Sequence, residues 1–215
     1  MDIELRIEKE SDYQEVEKLT RDAFWNVFVP GCNEHYLAHI LRESSEFVKE
    51  LDYVACWNDK ILGNIMYTKA FVLGDDGVKH PVLCFGPISV LPEFQGRGIG
   101  SRLIEHTKEM AKAIGYKAIL IFGDLEYYKR VGFTDAESFE IGTAWDTYAT
   151  PLLACELIPG ALQNCKGRFF ESTLFGVDED NAEVFDQMFE PKEKVSGLPS
   201  QARFSELVAM NKPRR

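Results

Sequence analysis

The sequence predicts an α/β fold in which helices flank a mixed β-sheet. Segments with strand-like alternation or continuous apolar character are interspersed with segments whose apolar residues recur at helical spacing. A strand, a helix and a second strand also follow one another between residues 80 and 122, as in the crossover unit that joins two parallel strands. The chain has 215 residues, of which 45% are hydrophobic, and is therefore long enough for a sizeable core.

The first fifty residues are predicted to form one strand and two helices. Residues 3–7 alternate apolar and charged side chains, as in a half-buried strand. Ser11 stands three residues before Gln14, and this capping-box spacing predicts that the first helix begins at Ser11. A second, shorter helix is predicted over residues 33–44.

Three strands are predicted next. Residues 52–57 and 61–73 read as a hairpin with its turn at residues 58–60, and residues 80–90 read as a third long strand. Pro87 lies inside that third strand. Because proline removes a hydrogen-bond donor from the ladder, it predicts a bulge or an opened strand edge there.

The second half of the chain continues the alternation. A helix is predicted to end at Gly115, followed by a buried strand over residues 117–122 and a short helix over residues 124–132. Residues 133–141 are predicted to be extended, and residues 150–162 and 167–175 to contain further strands. Helices are predicted within residues 181–189 and 204–210. We expect residues 1–160 to form the main domain and residues 161–215 an extension packed on it.

Composition excludes several classes of function. The net charge of -11 and the pI near 4.9 argue against a nucleic-acid surface, which normally needs a basic face. No two of the five cysteines stand at the spacing that is typical of zinc ligands, and we expect all five to be reduced thiols. The sequence shows neither an apolar run of membrane-spanning length nor a secretory signal. We therefore expect a cytoplasmic protein.

The segment between residues 95 and 101 holds three glycines just before a helix. Backbone amides and the helix dipole favour an anion at such a helix N-terminus, and glycines allow its close approach. Arg97 and Arg102 would add positive charge. A P-loop would need a Lys-Ser or Lys-Thr pair that is missing, and Ser101 replaces the last glycine of a dinucleotide fingerprint. A nucleotide-binding protein therefore stays only as a rival interpretation.

Two motifs resemble those of one family. "PEFQGRGIGSRLI" resembles the Q/R-x-x-G-x-G/A signature of the GNAT superfamily of N-acetyltransferases, and "YYKRVGF" resembles that family's second landmark. "PLLACELIPGAL" is similar to its YhbS-like subgroup. The resemblance covers about residues 3–160. It implies the GNAT fold, a mixed, mostly antiparallel sheet with a splayed parallel central strand pair, flanked by helices.

The resemblance also implies acetyl-CoA as co-substrate. Its pantetheine arm would lie along the central strand and its pyrophosphate on the glycine loop, while Tyr128 would protonate the coenzyme sulfur as general acid. The implied coenzyme-binding residues are Ile88, Ser89, Val90, Gln95, Gly96, Arg97, Gly98, Ile99, Gly100, Ser101, Asp124 and Tyr127. Many relatives carry an asparagine where Gly123 and Asp124 stand, so the sequence departs from the family at that contact.

The resemblance leaves the general base unassigned. Asp124, Glu126, Glu34 and a water relay are the alternatives. Cys84 suggests an acetyl-cysteine intermediate, but direct transfer in a ternary complex is favoured because free cysteines are mostly buried apolar residues. The His35 and His39 pair lacks a third ligand, so we predict no metal site.

The sequence therefore predicts an N-acetyltransferase that acts on a primary amine of a small molecule or protein. The alternative is a non-catalytic module that binds or senses acyl-CoA. We expect the acceptor pocket between the first two helices, residues 66–72 and the C-terminal extension, with Trp25, Phe28 and Tyr36 as lining. The expected partners are a small-molecule or peptide amine, with no nucleic acid and no membrane; a homodimer is one open alternative.

Overall fold

The structure, a computed structural model, describes residues 1–214. Its strands are β1 (Glu4–Ile7), β2 (Tyr53–Trp57), β3 (Lys60–Gly74), β4 (Lys79–Val90), β5 (Ala118–Phe122), β6 (Thr134–Asp135), β7 (Ile141–Gly142), β8 (Thr147–Ala149), β9 (Leu152–Glu156), β10 (Gly167–Phe170) and β11 (Asn211–Pro213). Its α-helices are α1 (Tyr13–Phe24), α2 (Glu34–Leu41), α3 (Ile99–Ala113), α4 (Leu125–Tyr128), α5 (Glu179–Asp186) and α6 (Pro199–Ala209). The predicted α/β class is confirmed.

A mixed sheet with the strand order β1-β2-β3-β4-β5-β9-β6 forms the centre of the fold. Strands β1 to β4 pair antiparallel, β4 and β5 pair parallel, and β5 and β9 pair antiparallel. Strand β10 returns to pair with the end of β3, with Phe170 opposite Phe71. The predicted hairpin of β2 and β3 is confirmed, and Asn58 and Asp59 at its turn adopt positive φ angles.

The parallel pair at the centre of the sheet is joined at one position. Among residues 1–214, Leu83 opposite Ile119 is the sole pairing between β4 and β5. Beyond Leu83, β4 stays paired with β3 as far as Val90, while β5 pairs with β9. The two strands therefore part toward their C-terminal ends. A gap opens at the edge of β4 that faces β5.

The predicted irregularity at Pro87 is also confirmed. The pairing of β3 with β4 shifts between Ile65, opposite Ile88, and Tyr67, opposite Phe85. Two residues of β4, Gly86 and Pro87, thus face one residue of β3. Such a bulge twists the strand locally, and here it lies beside the gap.

Two local predictions were wrong. The first helix does not begin with a Ser11 cap, because a 3-10 helix over Glu10–Asp12 precedes α1. Asp12 accepts the amide of Lys9, three residues before it, at 2.8 Å and pairs with Arg6, so Asp12 takes the role that the capping-box pattern assigned to Gln14. The segment 133–141 is not continuously extended either, since a 3-10 helix over Ala136–Phe139 interrupts it and Glu140 then adopts a positive φ.

Several residues between 186 and 204 contact the first helix and the loop after it. Arg21 Nε donates to Asp186 Oδ1 at 2.6 Å, and Gln201 Nε2 donates to the Asn26 carbonyl at 3.1 Å. Arg21 is 2% exposed, so the arginine of this ion pair is shielded from water. No helix within the described part of the chain is long and apolar enough to cross a membrane.

Candidate active site

The gap between β4 and β5 brings three of the predicted coenzyme residues together. Ile88, Ser89 and Val90 form the end of β4, and their pairing partners lie on β3. The Ser89 hydroxyl lies 3.0 Å from the Thr20 hydroxyl of α1, so its side chain is engaged on the face of the sheet that carries α1. The edge of β4 that faces β5 has no strand partner here within residues 1–214.

The glycine loop lies at the end of this gap. Gly96 and Gly98 have φ angles of 73° and 81°, a left-handed conformation that other residues adopt at a cost. A Cβ at either position would meet no atom within 4 Å, so the space in front of the loop is open. Ile99, Gly100 and Ser101 form the first turn of α3, where amides lack acceptors within the helix. These amides form a cradle suited to a phosphate.

Side chains hold the loop in place. Gln95 Nε2 donates to the Val90 carbonyl at 3.0 Å, which ties the loop to the end of β4. The Arg97 guanidinium donates to the Glu93 carbonyl at 3.0 Å and lies over the Phe94 ring. Arg102 donates to the Ile3 carbonyl at 3.0 Å. Both arginines thus bring positive charge to the start of α3 in an otherwise acidic protein.

The two tyrosines of α4 approach the loop and the gap. A Cβ on Gly100 would lie 2.7 Å from the Tyr127 hydroxyl, and a Cβ on Gly123 would lie 2.4 Å from Cε2 of Tyr128. Both rings therefore pack directly against glycine backbone. The Tyr128 ring also contacts Phe85 of β4 and Phe133, with centroids 5.9 and 5.7 Å apart.

The Tyr128 hydroxyl stays protonated in the neutral pH range. Burial, followed by the neighbouring Tyr127 and Cys84, raises the pKa of Tyr128 above its ordinary value. A protonated phenol beside the gap is able to donate a proton to a leaving thiolate.

Asp124, predicted as a coenzyme contact or base, is engaged within the protein. Its carboxylate accepts the Glu126 amide at 3.0 Å and caps α4. Arg203 of α6 pairs with the same carboxylate, with Nε 3.1 Å from Oδ2. The Arg203 hydrogen bond lowers the pKa of Asp124, with a smaller contribution from the Glu126 amide. Asp124 therefore fixes α4, and through it the two tyrosines, against the C-terminal extension.

The other two predicted bases differ in their surroundings. The Glu126 carboxylate is exposed and pairs with Lys129 at 2.8 Å. Glu34 stands at the start of α2, where its carboxylate accepts the Asn33 amide at 3.1 Å. Burial raises the pKa of Glu34 above its ordinary value. The polar contacts described for these two carboxylates reach neither β4 nor β5.

A further carboxylate, Glu171, lies at the gap and escaped the sequence interpretation. It follows β10 directly, and the Cys84 Sγ donates to its Oε2 at 3.7 Å. Burial raises the pKa of Glu171 to about 7, and the hydrogen bond from Cys84 opposes this rise. The one available signal was an acidic residue directly after the buried aromatic strand "GRFF".

Cys84 is a poor nucleophile in this setting. The residue is 2% exposed, and burial together with the neighbouring Glu171 carboxylate raises the pKa of its thiol well above the ordinary range. Because the thiolate is the reactive form, a covalent acetyl-cysteine is disfavoured.

A buried Cys-His-Asp arrangement links α2 to α5. Cys32 Sγ lies 3.5 Å from His35 Nδ1, and His35 Nε2 lies 3.0 Å from Asp186 Oδ1. Burial lowers the pKa of His35 to about 4 and raises that of the Cys32 thiol. Both side chains are therefore neutral near pH 7, and the arrangement packs the C-terminal extension. No cluster of three or more metal-binding side chains occurs in the described residues.

The aromatic residues predicted to line the acceptor pocket pack against the C-terminal extension. Trp25 Nε1 donates to the Glu193 carbonyl at 2.9 Å. The ring centroids of Phe28 and Phe204 are 4.8 Å apart, and those of Tyr36 and Phe185 are 5.3 Å apart. These packing contacts account for the presence of the three aromatic side chains.

Comparison with known proteins identifies a family. Residues 17–133 match the model of the acetyltransferase (GNAT) family. The chain is 33% identical over 84 residues to the uncharacterized N-acetyltransferase YjhQ of Escherichia coli (strain K12), covering 39% of this chain and 45% of YjhQ. It is 24% identical over 164 residues to the uncharacterized N-acetyltransferase YhbS of the same strain, covering 76% of this chain and 92% of YhbS. The chain thus spans less than half of YjhQ but most of YhbS.

Solved structures share the fold. Escherichia coli YhbS in complex with CoA has a TM-score of 0.71 at 22% identity, covering 81% of this chain and 92% of that one. A GNAT family acetyltransferase from Brucella melitensis in complex with acetyl-CoA has a TM-score of 0.64 at 25% identity, covering 81% and 98%. These likenesses confirm the fold that the sequence motifs implied.

Proposed function

This chain belongs to the acetyltransferase (GNAT) family, and from that premise we propose that it transfers an acetyl group from acetyl-CoA to a primary amine of a small molecule or protein. The observation that carries the proposal is the single pairing of β4 with β5, at Leu83 and Ile119. The gap beyond it leads to the open loop at Gly96 and Gly98. The likeness to the Brucella melitensis protein, solved with acetyl-CoA, supports the same co-substrate here.

The residues present fit this co-substrate. The amides of residues 96–101 and the charge of Arg97 and Arg102 suit the diphosphate. The edge of Ile88 to Val90 that faces β5 lacks a strand partner and suits the amide groups of the pantetheine arm, which would hydrogen-bond to it like an added strand. Asp124 would act through α4, because its carboxylate is already bound to Arg203. Tyr127 would cover the loop beside Gly100.

The chemistry follows from these positions. When bound, the thioester supplies an activated acetyl group. The amine nitrogen attacks the carbonyl carbon directly, the C–S bond breaks, and the departing thiolate takes a proton from the Tyr128 hydroxyl. Because burial raises the pKa of Tyr128, its hydroxyl carries a proton at neutral pH and has one to give to the departing thiolate. Direct transfer is supported by the buried, protonated state of Cys84.

A paired assay tests this function. Thiol release from acetyl-CoA is followed over a panel of primary amines, beside calorimetric titration with CoA. We expect CoA binding together with amine-dependent thiol release. Binding of CoA without turnover over the whole panel, and with no effect of Tyr128→Phe, would instead support a non-catalytic acyl-CoA module. A preference for NAD or ATP over CoA would refute both.

A further inference from the structure

We propose that Glu171 is the general base that removes a proton from the acceptor amine. This inference rests on the proposed acetyltransferase function and deepens it, because that function requires a neutral amine. The proposal also assigns a catalytic role to the C-terminal extension, which supplies the residue.

The Glu171 carboxylate lies against β4 close to the point where that strand leaves β5. Its carboxylate contacts Cys84, and Cys84 directly follows Leu83, the residue at which β4 leaves β5. The carboxylate is therefore at the root of the gap. Tyr128 lies near the same point, since its ring contacts Phe85, the residue after Cys84. The proposed acid and the proposed base thus contact adjacent residues of β4, Phe85 and Cys84.

The neighbours of Glu171 show that its segment spans the gap. Phe169 lies 6.1 Å from Phe122 at the end of β5, measured between ring centroids. Phe175 lies over β4, because a Cβ on Gly86 would be 3.0 Å from its ring. Residues 169–175, which we call the covering segment, therefore contact both strands where they part. Glu171 is the carboxylate within this segment.

The surroundings of Glu171 favour proton exchange near neutral pH. No cation lies within ion-pair distance of its carboxylate among the described residues, and Cys84 is the titratable side chain that faces it. Half-buried and without a cation, the carboxylate has a pKa raised to about 7 by burial. A base is most effective when its pKa is close to the working pH.

The rival carboxylates have other roles. Asp124 is bound by Arg203, Glu126 by Lys129, and Glu34 by the amide at the start of α2. A carboxylate that is paired with a cation, as Asp124 and Glu126 are, is a weak base, and the polar contact of Glu34 lies at the start of α2, away from β4 and β5. Glu171 combines an unpaired carboxylate with contact to β4.

In the proposed step, protons pass between the acceptor, Glu171, Tyr128 and the thiolate. Glu171 takes one proton from the acceptor ammonium, and the free nitrogen forms the C–N bond as the C–S bond breaks. The thiolate takes the Tyr128 proton, and Tyr128 regains a proton from the nitrogen of the new amide. The proton on Glu171 passes to solvent. One ammonium and one thioester thus yield one amide, one thiol and one released proton.

The test compares Glu171→Gln with Glu179→Gln, an exposed change in the first turn of α5, and with Cys84→Ala. Thiol release is measured against pH with the amine that the wild type uses fastest, and CoA affinity is measured by calorimetry. We expect Glu171→Gln to lower kcat by about 100-fold, to remove the acidic limb near pH 7, and to leave CoA affinity unchanged. Glu179→Gln should match the wild type, and Cys84→Ala should retain most of the activity.

A second measurement needs no acceptor amine and therefore tests Glu171 separately from the proposed function. The carboxylate band in the infrared spectrum is titrated as the difference between wild type and Glu171→Gln. A midpoint near pH 7 supports the base even if no amine in the panel is turned over, an outcome that would count against the proposed function alone. A midpoint below about pH 5, or a Glu171→Gln variant with wild-type kcat and pH limb, would overturn the assignment.

Discussion

The Tyr128 ring lies directly on the backbone of Gly123, so that a Cβ at Gly123 would come within 2.4 Å of Cε2 and 2.7 Å of Cδ2. Real Cβ atoms do not approach so closely, and a side chain at residue 123 would move the ring. Gly123, which with Asp124 stands where many relatives carry an asparagine, therefore leaves the space that the ring of the proposed general acid occupies.

Gly123→Ala should displace Tyr128. We expect the free energy of unfolding to fall by about 1–3 kcal/mol, as in other overpacked sites, and thiol release to fall more steeply than CoA affinity. Gly176→Ala is the matched control, because Gly176 has a negative φ and its nearest neighbour would be 3.4 Å from a Cβ. Equal losses in the two variants would show that Gly123 has no special relation to Tyr128.

Tyr128→Phe should separate chemistry from binding. The variant keeps the ring that contacts Phe85 and Phe133 but loses the hydroxyl. We expect kcat to fall by about 100-fold, with CoA affinity by calorimetry and the unfolding midpoint close to those of the wild type. Wild-type turnover in this variant would remove Tyr128 from the mechanism.

Gly98→Ala should weaken CoA binding through the backbone of the loop. Gly98 caps α3 with a φ of 81°, and Gly115 at the other end of this helix has a φ of 99°. A Cβ at either residue would meet no atom within 4 Å. Alanine should therefore cost about 1 kcal/mol of stability at both.

Comparing Gly98→Ala with Gly115→Ala separates the effect on CoA affinity from the effect on helix stability. Calorimetry with CoA should show a loss of affinity for Gly98→Ala and none for Gly115→Ala. The same loss in both variants would mean that helix stability, and not the shape of the loop, controls binding.

Asp52 should make the protein less stable as the pH rises. Its carboxyl is 3% exposed, and burial, with the neighbouring Glu8 carboxylate adding to it, raises the pKa of Asp52. The folded chain thus keeps a proton that the unfolded chain releases near pH 4. The stability from this proton is complete below that pH and is lost as the pH climbs to the folded-state pKa, by up to about 1.4 kcal/mol per unit.

Asp52→Asn should flatten this dependence. An asparagine oxygen still accepts from Asn64 Nδ2, which lies 2.9 Å from the Asp52 carboxyl. Urea unfolding is measured between about pH 7.5 and pH 8.5, above the range of Glu171, where the cysteines of the unfolded chain also begin to titrate and add the same slope to every variant. Asp180→Asn, an exposed change in α5, should keep the wild-type slope. A wild-type slope in Asp52→Asn would show that the Asp52 proton is not the source.

Local signals made part of this site predictable. Gly96 and Gly98 reveal their positive φ through residue type, and Pro87 reveals the bulge through its missing donor. For Glu171 the local signal, an acidic residue after "GRFF", does not reveal the site, because the contact with Cys84 joins residues 87 apart in sequence. That contact depends on β10 returning to β3, a long-range pairing that short motifs do not encode.

A crystal structure of this chain with CoA tests the central claim most directly. We expect the diphosphate on the amides of residues 96–101, the pantetheine arm between β4 and β5 along Ile88 to Val90, and the sulfur near Tyr128. Coenzyme bound elsewhere, or β4 and β5 hydrogen-bonded to each other well beyond Leu83 and Ile119, would contradict the claim.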